Sequence, residues 1–94
     1  MDFEWDAHKA AINLRKHGVR FEDAAHVFLD PNRIESFDEE DTNGEDRWIS
    51  IGMVEPAVLL VAYTVRGDDG EIIRIISARK ADAHERKQYR EIQA

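Results

Sequence analysis

The chain has 94 residues, a length that fits one domain with one modest core. It contains no cysteine, which excludes disulfide bonds and cysteine-ligated metals. Hydrophobic residues make up 43% and charged residues 35% of the chain, a composition that is typical of globular domains and excludes a disordered tail. We expect residues 1–94 to form one cytoplasmic domain, because no apolar run is long enough to span a membrane and no signal peptide begins the chain.

The N-terminal residues predict a short strand followed by a helix. Polar and apolar side chains alternate over residues 2–5, which predicts an edge strand. Asp6 is a favourable N-cap for a helix over residues 7–17, and Gly18 is expected to end it in the left-handed conformation.

A second helix is predicted over residues 21–29. Phe21, Ala24, Ala25 and Phe28 repeat at the spacing of one helix face, and Pro31 prevents the helix from continuing. Residues 33–37 are then predicted to form a strand.

Residues 38–45 are predicted to form an acidic loop with a turn at Asn43-Gly44. Seven of the 20 acidic residues lie between Glu35 and Asp46, and the other 13 equal the lysines and arginines in number. A calcium loop aligned on Gly44 would place Ser50 where the bidentate glutamate is needed, so we expect a solvated loop and no metal site.

The rest of the chain predicts three strands and a helix. The strands cover residues 47–53, 58–65 and 71–79, and the helix begins at Asp82 with a capping box that ends at Glu85. The order β-α-α-β-β-β-β-α predicts an α+β fold. We expect an antiparallel sheet, with the two N-terminal helices and the C-terminal helix packed on one side.

The last predicted strand carries arginine, which a small core normally excludes because an unpaired charge is costly to desolvate. Arg74 and Arg79 therefore indicate that part of the sheet is open to an anion, with RNA phosphate as the first candidate. Strict alternation would place Arg74 on the face of Ile76, Ala78 and Lys80, and Arg79 on the other. The alternative, that these arginines only pair with neighbouring acids at the surface, stays open.

The four histidines show no zinc-ligand spacing, and we expect neither a metal nor a cofactor. His17 and His84 are candidates for proton transfer near neutral pH, since one ends a helix and the other follows the basic strand. Each is equally explained as a surface or helix-end residue.

Four segments in a fixed order carry a family resemblance. They are Phe3-Glu4-Trp5-Asp6 with Lys9 and Asn13, Lys16-His17-Gly18-Val19 with Phe21-Glu22-Asp23-Ala24, Arg47-Trp48-Ile49-Ser50-Ile51-Gly52, and Tyr63-Thr64-Val65-Arg66 leading to Ile73-Arg74-Ile75-Ile76-Ser77-Ala78-Arg79-Lys80-Ala81, then Glu85-Arg86 and Tyr89. Together they resemble the BrnT family, toxins of type II toxin–antitoxin pairs with a RelE-like ribonuclease fold. Arg20 and Asp82 stand where the family often has Ser and Thr, and both departures affect only helix caps.

The resemblance implies an endoribonuclease that cleaves RNA and inhibits translation. It also implies a BrnA-like ribbon-helix-helix antitoxin as the partner, through which alone the protein would contact operator DNA. The family's sheet arginines map first onto Arg66 and Arg79 of this chain, and then onto Arg74 and Lys80.

RNA cleavage without metal requires a base, cations at the phosphate and an acid for the leaving oxygen. We expect Arg66 and Arg79 to clamp the phosphate, because a guanidinium matches two phosphate oxygens at once. His17 is the third expected catalytic residue, although His84 or a carboxylate remain alternatives for the base. The residues expected to bind RNA are Arg74, Lys80 and Lys16. The alternative function is a non-catalytic module of the same fold that binds RNA or a protein.

Overall fold

The computed structural model describes residues 1–38 and 46–92, which contain one five-stranded sheet and three α-helices. The predicted turn at Asn43-Gly44 and most of the predicted acidic loop lie outside the described residues. The elements are β1 (Asp2–Glu4), α1 (Ala7–His17), α2 (Phe21–Ala25), a 3₁₀ turn (His26–Leu29), β2 (Ile34–Phe37), β3 (Trp48–Val54), β4 (Ala57–Arg66), β5 (Ile72–Lys80) and α3 (Ala83–Ile92).

The predicted limits of α1 are confirmed by its two caps. The Asp6 carboxylate accepts a hydrogen bond from the Lys9 N–H at 3.0 Å, and Gly18 takes the left-handed conformation with φ of 70°. Both ends of α1 are therefore set by residues next to the helix and need no tertiary contact.

The predicted second helix is α2 followed by the 3₁₀ turn. A 3₁₀ turn has three residues per turn, so it places Val27 in line with Phe21 and Ala24. All three side chains are fully buried. The helix therefore tightens where this row of side chains enters the core.

The sheet has the strand order β1-β5-β4-β3-β2 and is mixed. Strands β2 to β5 are antiparallel, but β1 is parallel to β5, with Glu4 beside Arg74. The predicted all-antiparallel sheet is thus wrong at β1. No hairpin joins β1 to β5, so nothing in the local sequence sets the direction of this pair.

The helices cover both faces of the sheet, which corrects the prediction that they share one side. Leu59 and Val61 of β4 pack in one core cluster with α2, whereas Leu60 packs in a second cluster with Tyr89 of α3. Successive side chains of a strand point to opposite faces, so α3 lies opposite α1 and α2. We name the two sides the α2 face and the α3 face.

A β-bulge in β5 decides which face each arginine occupies. Tyr63 pairs with Ile75 and Ala62 with Ser77, so Ile76 is an extra residue. The predicted faces are wrong beyond that point, because one extra residue reverses the alternation. Arg74 pairs with Thr64 and Arg79 with Leu60, and both therefore lie on the α3 face.

A side chain continues the hydrogen bonding of β5 where β1 ends. Asn13 is buried in α1; its carboxamide oxygen accepts the Ala78 N–H at 3.1 Å and its nitrogen donates to the Ala78 carbonyl at 2.8 Å. The same nitrogen donates to the Val19 carbonyl at 3.0 Å. Asn13 thus fixes α1 against the flank of β5 that β1 leaves uncovered.

Candidate nucleic-acid interface

The six residues predicted to act on RNA separate into three groups in the structure. Arg66 and Arg74 lie together near β1, Lys16 and His17 lie at the end of α1, and Arg79 and Lys80 lie at the start of the segment that leads to α3. β5 or its flank contributes to each group.

The first group is organised by Glu4, a residue that sequence reasoning did not single out. Its Oε1 lies 3.2 Å from Nη1 of Arg66 and 3.5 Å from Nη1 of Arg74. The parallel register places Glu4 beside Arg74, which brings the carboxylate to both guanidiniums. We name Glu4, Arg66 and Arg74 the arginine–glutamate cluster.

The arginine–glutamate cluster is open to solvent. The side chains of Glu4, Arg66 and Arg74 expose 38%, 57% and 34% of their surface. Arg74 pairs with Thr64 of β4, and α3 packs on Leu60 of the same strand. Thr64 and Leu60 are four residues apart, which is about 13 Å. The cluster therefore occupies the end of the α3 face that α3 does not cover.

Arg79 is held by α3 in a different way. Its Nη1 and Nη2 donate to the two carboxylate oxygens of Glu85 at 2.8 and 2.9 Å, and the Glu85 side chain is only 15% exposed. The hydrogen bonds to Glu85 raise the pKa of Arg79, and the same bonds hold the pKa of Glu85 below its ordinary value. This bidentate pair fastens the first turn of α3 to β5.

The predicted capping box at the start of α3 is confirmed. The Glu85 N–H donates to Asp82 Oδ1 at 2.8 Å, and the Asp82 N–H donates to Glu85 Oε1 at 2.9 Å. Glu85 therefore serves the cap and Arg79 at once. Lys80 is exposed beside a groove of about 420 Å³ between α3 and the β3–β4 turn, which Arg86 and Tyr89 also line.

The expected clamp of Arg66 with Arg79 is not formed. Arg66 lies on β4, whereas Arg79 lies on β5 and pairs with Leu60 of β4. Leu60 and Arg66 are six positions apart, so the two arginines are about 20 Å apart along the strands. Each is held by a glutamate from a different element, Glu4 of β1 and Glu85 of α3. The pair that the fold does bring together is Arg66 with Arg74.

The group at the end of α1, Lys16 and His17, lines a small cavity of about 180 Å³ between α1 and β5. Lys16 and His17 of α1 border it, together with Ser77 of β5. His17 is half-buried there and lies away from the arginine–glutamate cluster, whereas the other candidate base, His84, is exposed on α3. The structure therefore separates both histidines from the paired arginines.

The arginine–glutamate cluster can supply two of the three functions that metal-free RNA cleavage requires, a base and cations at the phosphate. A carboxylate can accept the 2′-hydroxyl proton, and two guanidiniums can hold phosphate oxygens. Across residues 1–38 and 46–92, no three His, Asp or Glu side chains are grouped as ligands for a metal ion. None of the helices in these two ranges is long and apolar enough to cross a membrane.

Comparisons of the chain with known proteins identify a family and a similar solved structure. The family model for the ribonuclease toxin BrnT of type II toxin–antitoxin systems matches residues 5–85. Among solved structures, the chain is similar to the Brucella abortus ribonuclease toxin BrnT, with 26% identity and a TM-score of 0.65, over 87% of this chain and 97% of that one. A search of curated proteins finds no match. The RelE-like assignment stays a prediction. The chain belongs to the BrnT family of ribonuclease toxins of type II toxin–antitoxin systems.

Proposed function

We propose that this protein is a single-domain toxin that cleaves RNA in the cytoplasm without a metal ion and so inhibits translation. The observation that supports this site best is the Glu4 carboxylate, which lies between the guanidiniums of Arg66 and Arg74 on an exposed part of the sheet. Because Glu4 contacts both guanidiniums, this geometry supports a role for Glu4 as the base beside two phosphate ligands.

The cleavage step uses each member of the cluster once. The guanidiniums of Arg66 and Arg74 hold the non-bridging phosphate oxygens, and Glu4 takes the proton from the 2′-hydroxyl. The 2′-oxygen then bonds to phosphorus while the bond to the 5′-oxygen breaks. The leaving oxygen takes a proton from water, and the proton on Glu4 neutralises the hydroxide that forms, which restores the carboxylate. The products are a 2′,3′-cyclic phosphate and a 5′-hydroxyl.

The strength of the ion pairs explains why this cluster, and not Arg79, receives the phosphate. Exposed ion pairs such as Arg66–Glu4 contribute about 1 kcal/mol or less. One oxygen of Glu4 serves both guanidiniums, whereas a phosphate offers each guanidinium its own oxygens, so phosphate can take the guanidiniums from Glu4. Arg79 would have to leave a largely buried, bidentate partner that also caps α3.

Incubation of the purified protein with labelled RNA in EDTA tests the proposal. The wild-type protein is expected to leave fragments that end in a cyclic phosphate. Glu4→Gln and Arg74→Ala are each expected to slow cleavage on the order of 10²-fold, which is typical for the loss of one group that stabilises the transition state.

Arg20→Ala is the matched control, because Arg20 is an exposed arginine that also pairs with a glutamate, Glu22, at 3.5 Å. It removes the same charge and should cut RNA at the wild-type rate. Cleavage by Glu4→Gln at that rate would remove Glu4 from the mechanism, and dependence on added divalent metal would overturn the metal-free route.

A second function is favoured by one observation. Arg66, Arg74 and Arg79 all have a carboxylate partner already, as expected of residues that only stabilise the fold. The protein would then bind RNA or another protein without cutting. RNA that stays intact in the same assay while the protein binds it would support this non-catalytic module.

We further propose that a BrnA-like ribbon-helix-helix antitoxin neutralises the toxin by covering the arginine–glutamate cluster, and that operator DNA is contacted only through this partner. Membership of a type II toxin family supports the existence of an antitoxin. Antitoxin and non-cleavable RNA should then compete for the toxin. A ternary complex in which both are bound at full affinity would contradict the shared site.

A further inference from the structure

A stripe of basic residues on α1 faces the flank of β5. The basic residues are Lys9 and Lys16, and Ile12 and Asn13 lie between them on the same helix face. All four line the cavity of about 180 Å³ described above. His17, Ile76 and Ser77 complete the lining. The cavity therefore has three cationic or ionisable nitrogen groups and one hydroxyl, with no carboxylate in its walls.

The basic residues of this cavity differ from the arginines in their ion pairing. Every predicted arginine of the site is paired with a glutamate, but the ion pairs found among residues 1–38 and 46–92 do not include Lys9, Lys16 or His17. Asp6 accepts a hydrogen bond from the Lys9 backbone N–H and forms no ion pair with its ammonium group, although the Lys9 charge is one of the causes that lower the pKa of Asp6. An anion could enter here without displacing an acidic side chain.

The cavity is also held in shape before any ligand arrives. Asn13 lines the cavity, and its side chain forms hydrogen bonds with the backbone of Ala78 and Val19. These bonds set the distance between α1 and β5, and with it the position of Lys9 and Lys16. A site whose donors are already in place binds a ligand at a smaller cost in conformational entropy.

The position of the cavity suggests which anion it binds. Ser77 lies three residues beyond Arg74 on β5, about 10 Å away, and both lie on the α3 face. The cavity lies at the flank of β5 that β1 leaves uncovered, between Ser77 and α1. A single RNA strand with one phosphate at the arginine–glutamate cluster can follow the α3 face of β5 to this flank.

We infer that the cavity lined by Lys9, Lys16, His17 and Ser77 binds a second phosphate of the RNA strand that the arginine–glutamate cluster cleaves. This inference rests on the proposed function. The ligand chemistry is a phosphate group in a pocket with ammonium donors, and the apolar walls at Ile12 and Ile76 suit the adjoining sugar.

Two probes test the inference. Inorganic phosphate is titrated into the protein while the amide NMR signals of Lys16, His17 and Ser77 are followed. Separately, we measure the affinity of the protein for an RNA over a range of salt concentrations. The 2′-hydroxyls of this RNA are methylated, so it cannot be cut.

The variant is Lys9→Ala with Lys16→Ala, and its control is Arg15→Ala with Arg20→Ala, which removes the same charge from exposed positions outside the cavity. We expect inorganic phosphate to shift the amide NMR signals of the wild-type protein in a saturable way, and to cause no such shifts in the Lys9→Ala/Lys16→Ala variant. The slope of log affinity against log salt should fall by about 0.7, the value for one phosphate contact on a single strand, relative to the Arg15/Arg20 control.

The outcomes separate this inference from the proposed function. Equal slopes for the two double variants and no phosphate-dependent shifts would overturn the second phosphate site, even if the protein cuts RNA. Shifts with inorganic phosphate but equal slopes for RNA would make the cavity a site for free phosphate, which also overturns the inference. Phosphate binding without cleavage would instead contradict the proposed nuclease.

Discussion

Asp30 and Tyr89 meet at the edge of β3 although they come from opposite sides of the sheet. The Tyr89 hydroxyl, from α3, donates to Asp30 Oδ2, and the same oxygen accepts the Met53 N–H of β3 at 2.8 Å. Asp30 directly follows the 3₁₀ turn, so one carboxylate connects the α2 layer, the sheet and α3. α3 is thus fastened at two points, Asp30 and Arg79.

Replacing Asp30 by alanine should loosen α3. The substitution leaves the Met53 N–H and the Tyr89 hydroxyl without their acceptor, and each unsatisfied group costs about 1–3 kcal/mol where water cannot reach it. We expect a loss of about 2 kcal/mol in the free energy of unfolding, measured with urea. Hydrogen exchange should rise first in α3, and unchanged protection there would contradict this role.

The stability that Asp30 contributes should depend on pH. Burial opposes ionisation of this carboxyl, but the hydrogen bonds from Met53, Tyr89 and Asn32 outweigh it and hold its pKa below the ordinary value of 3.8. A depressed pKa stabilises the folded state above the unfolded pKa, and this contribution is lost as the pH falls through the folded pKa.

The matched variant for the pH experiment is Asp30→Asn, which keeps the shape but cannot ionise. The difference in unfolding free energy between wild type and Asp30→Asn should be constant near neutral pH and should shrink below about pH 4. A difference that stays the same down to pH 2 would show that the ionised form is not the stabilising one.

Asn13→Ala should destabilise the protein more than a surface substitution on the same helix. It removes both hydrogen-bond partners of the Ala78 backbone, at a cost of about 1–3 kcal/mol for each buried group. Arg15→Ala, also on α1, is the control and should change the unfolding free energy by less than about 0.5 kcal/mol. Equal effects of the two substitutions would mean that water replaces the carboxamide.

Arg79→Ala should act on stability more than on catalysis. The change leaves Glu85 largely buried without its bidentate partner, and we expect the folded protein to lose about 1–3 kcal/mol of stability. At a temperature where the variant is folded, it should cleave RNA faster than Arg74→Ala. If Arg79→Ala is the slower of the two while fully folded, Arg79 belongs to the phosphate site.

Features encoded by neighbouring residues could be predicted from the sequence. The caps of α1 at Asp6 and Gly18 and the capping box of α3 depend on residues within three or four positions, so composition and spacing are sufficient. The family resemblance was also visible, because its segments keep their order along the chain.

Features that depend on distant pairing could not be predicted. Glu4 reaches Arg74 only because β1 joins β5 in parallel, and the two residues are seventy positions apart. The extra residue Ile76 moves Arg79 onto the face of Arg74, and no local pattern in an apolar strand marks a bulge. The role of the arginines therefore stays a prediction, and their partners and spacing in the structure differ from those expected.

The Asn13 carboxamide has a consequence for self-association. Exposed strand edges are templates on which another chain can add a strand, and this is a common route to aggregation. β1 and Asn13 together occupy the outer side of β5 at residues 72–74 and 78, which leaves β2 as the terminal strand at the other end of the described sheet. The exposed edges of the described sheet are therefore those of β1, with three residues, and β2, with four, and the longer β5 offers no free edge at these four positions.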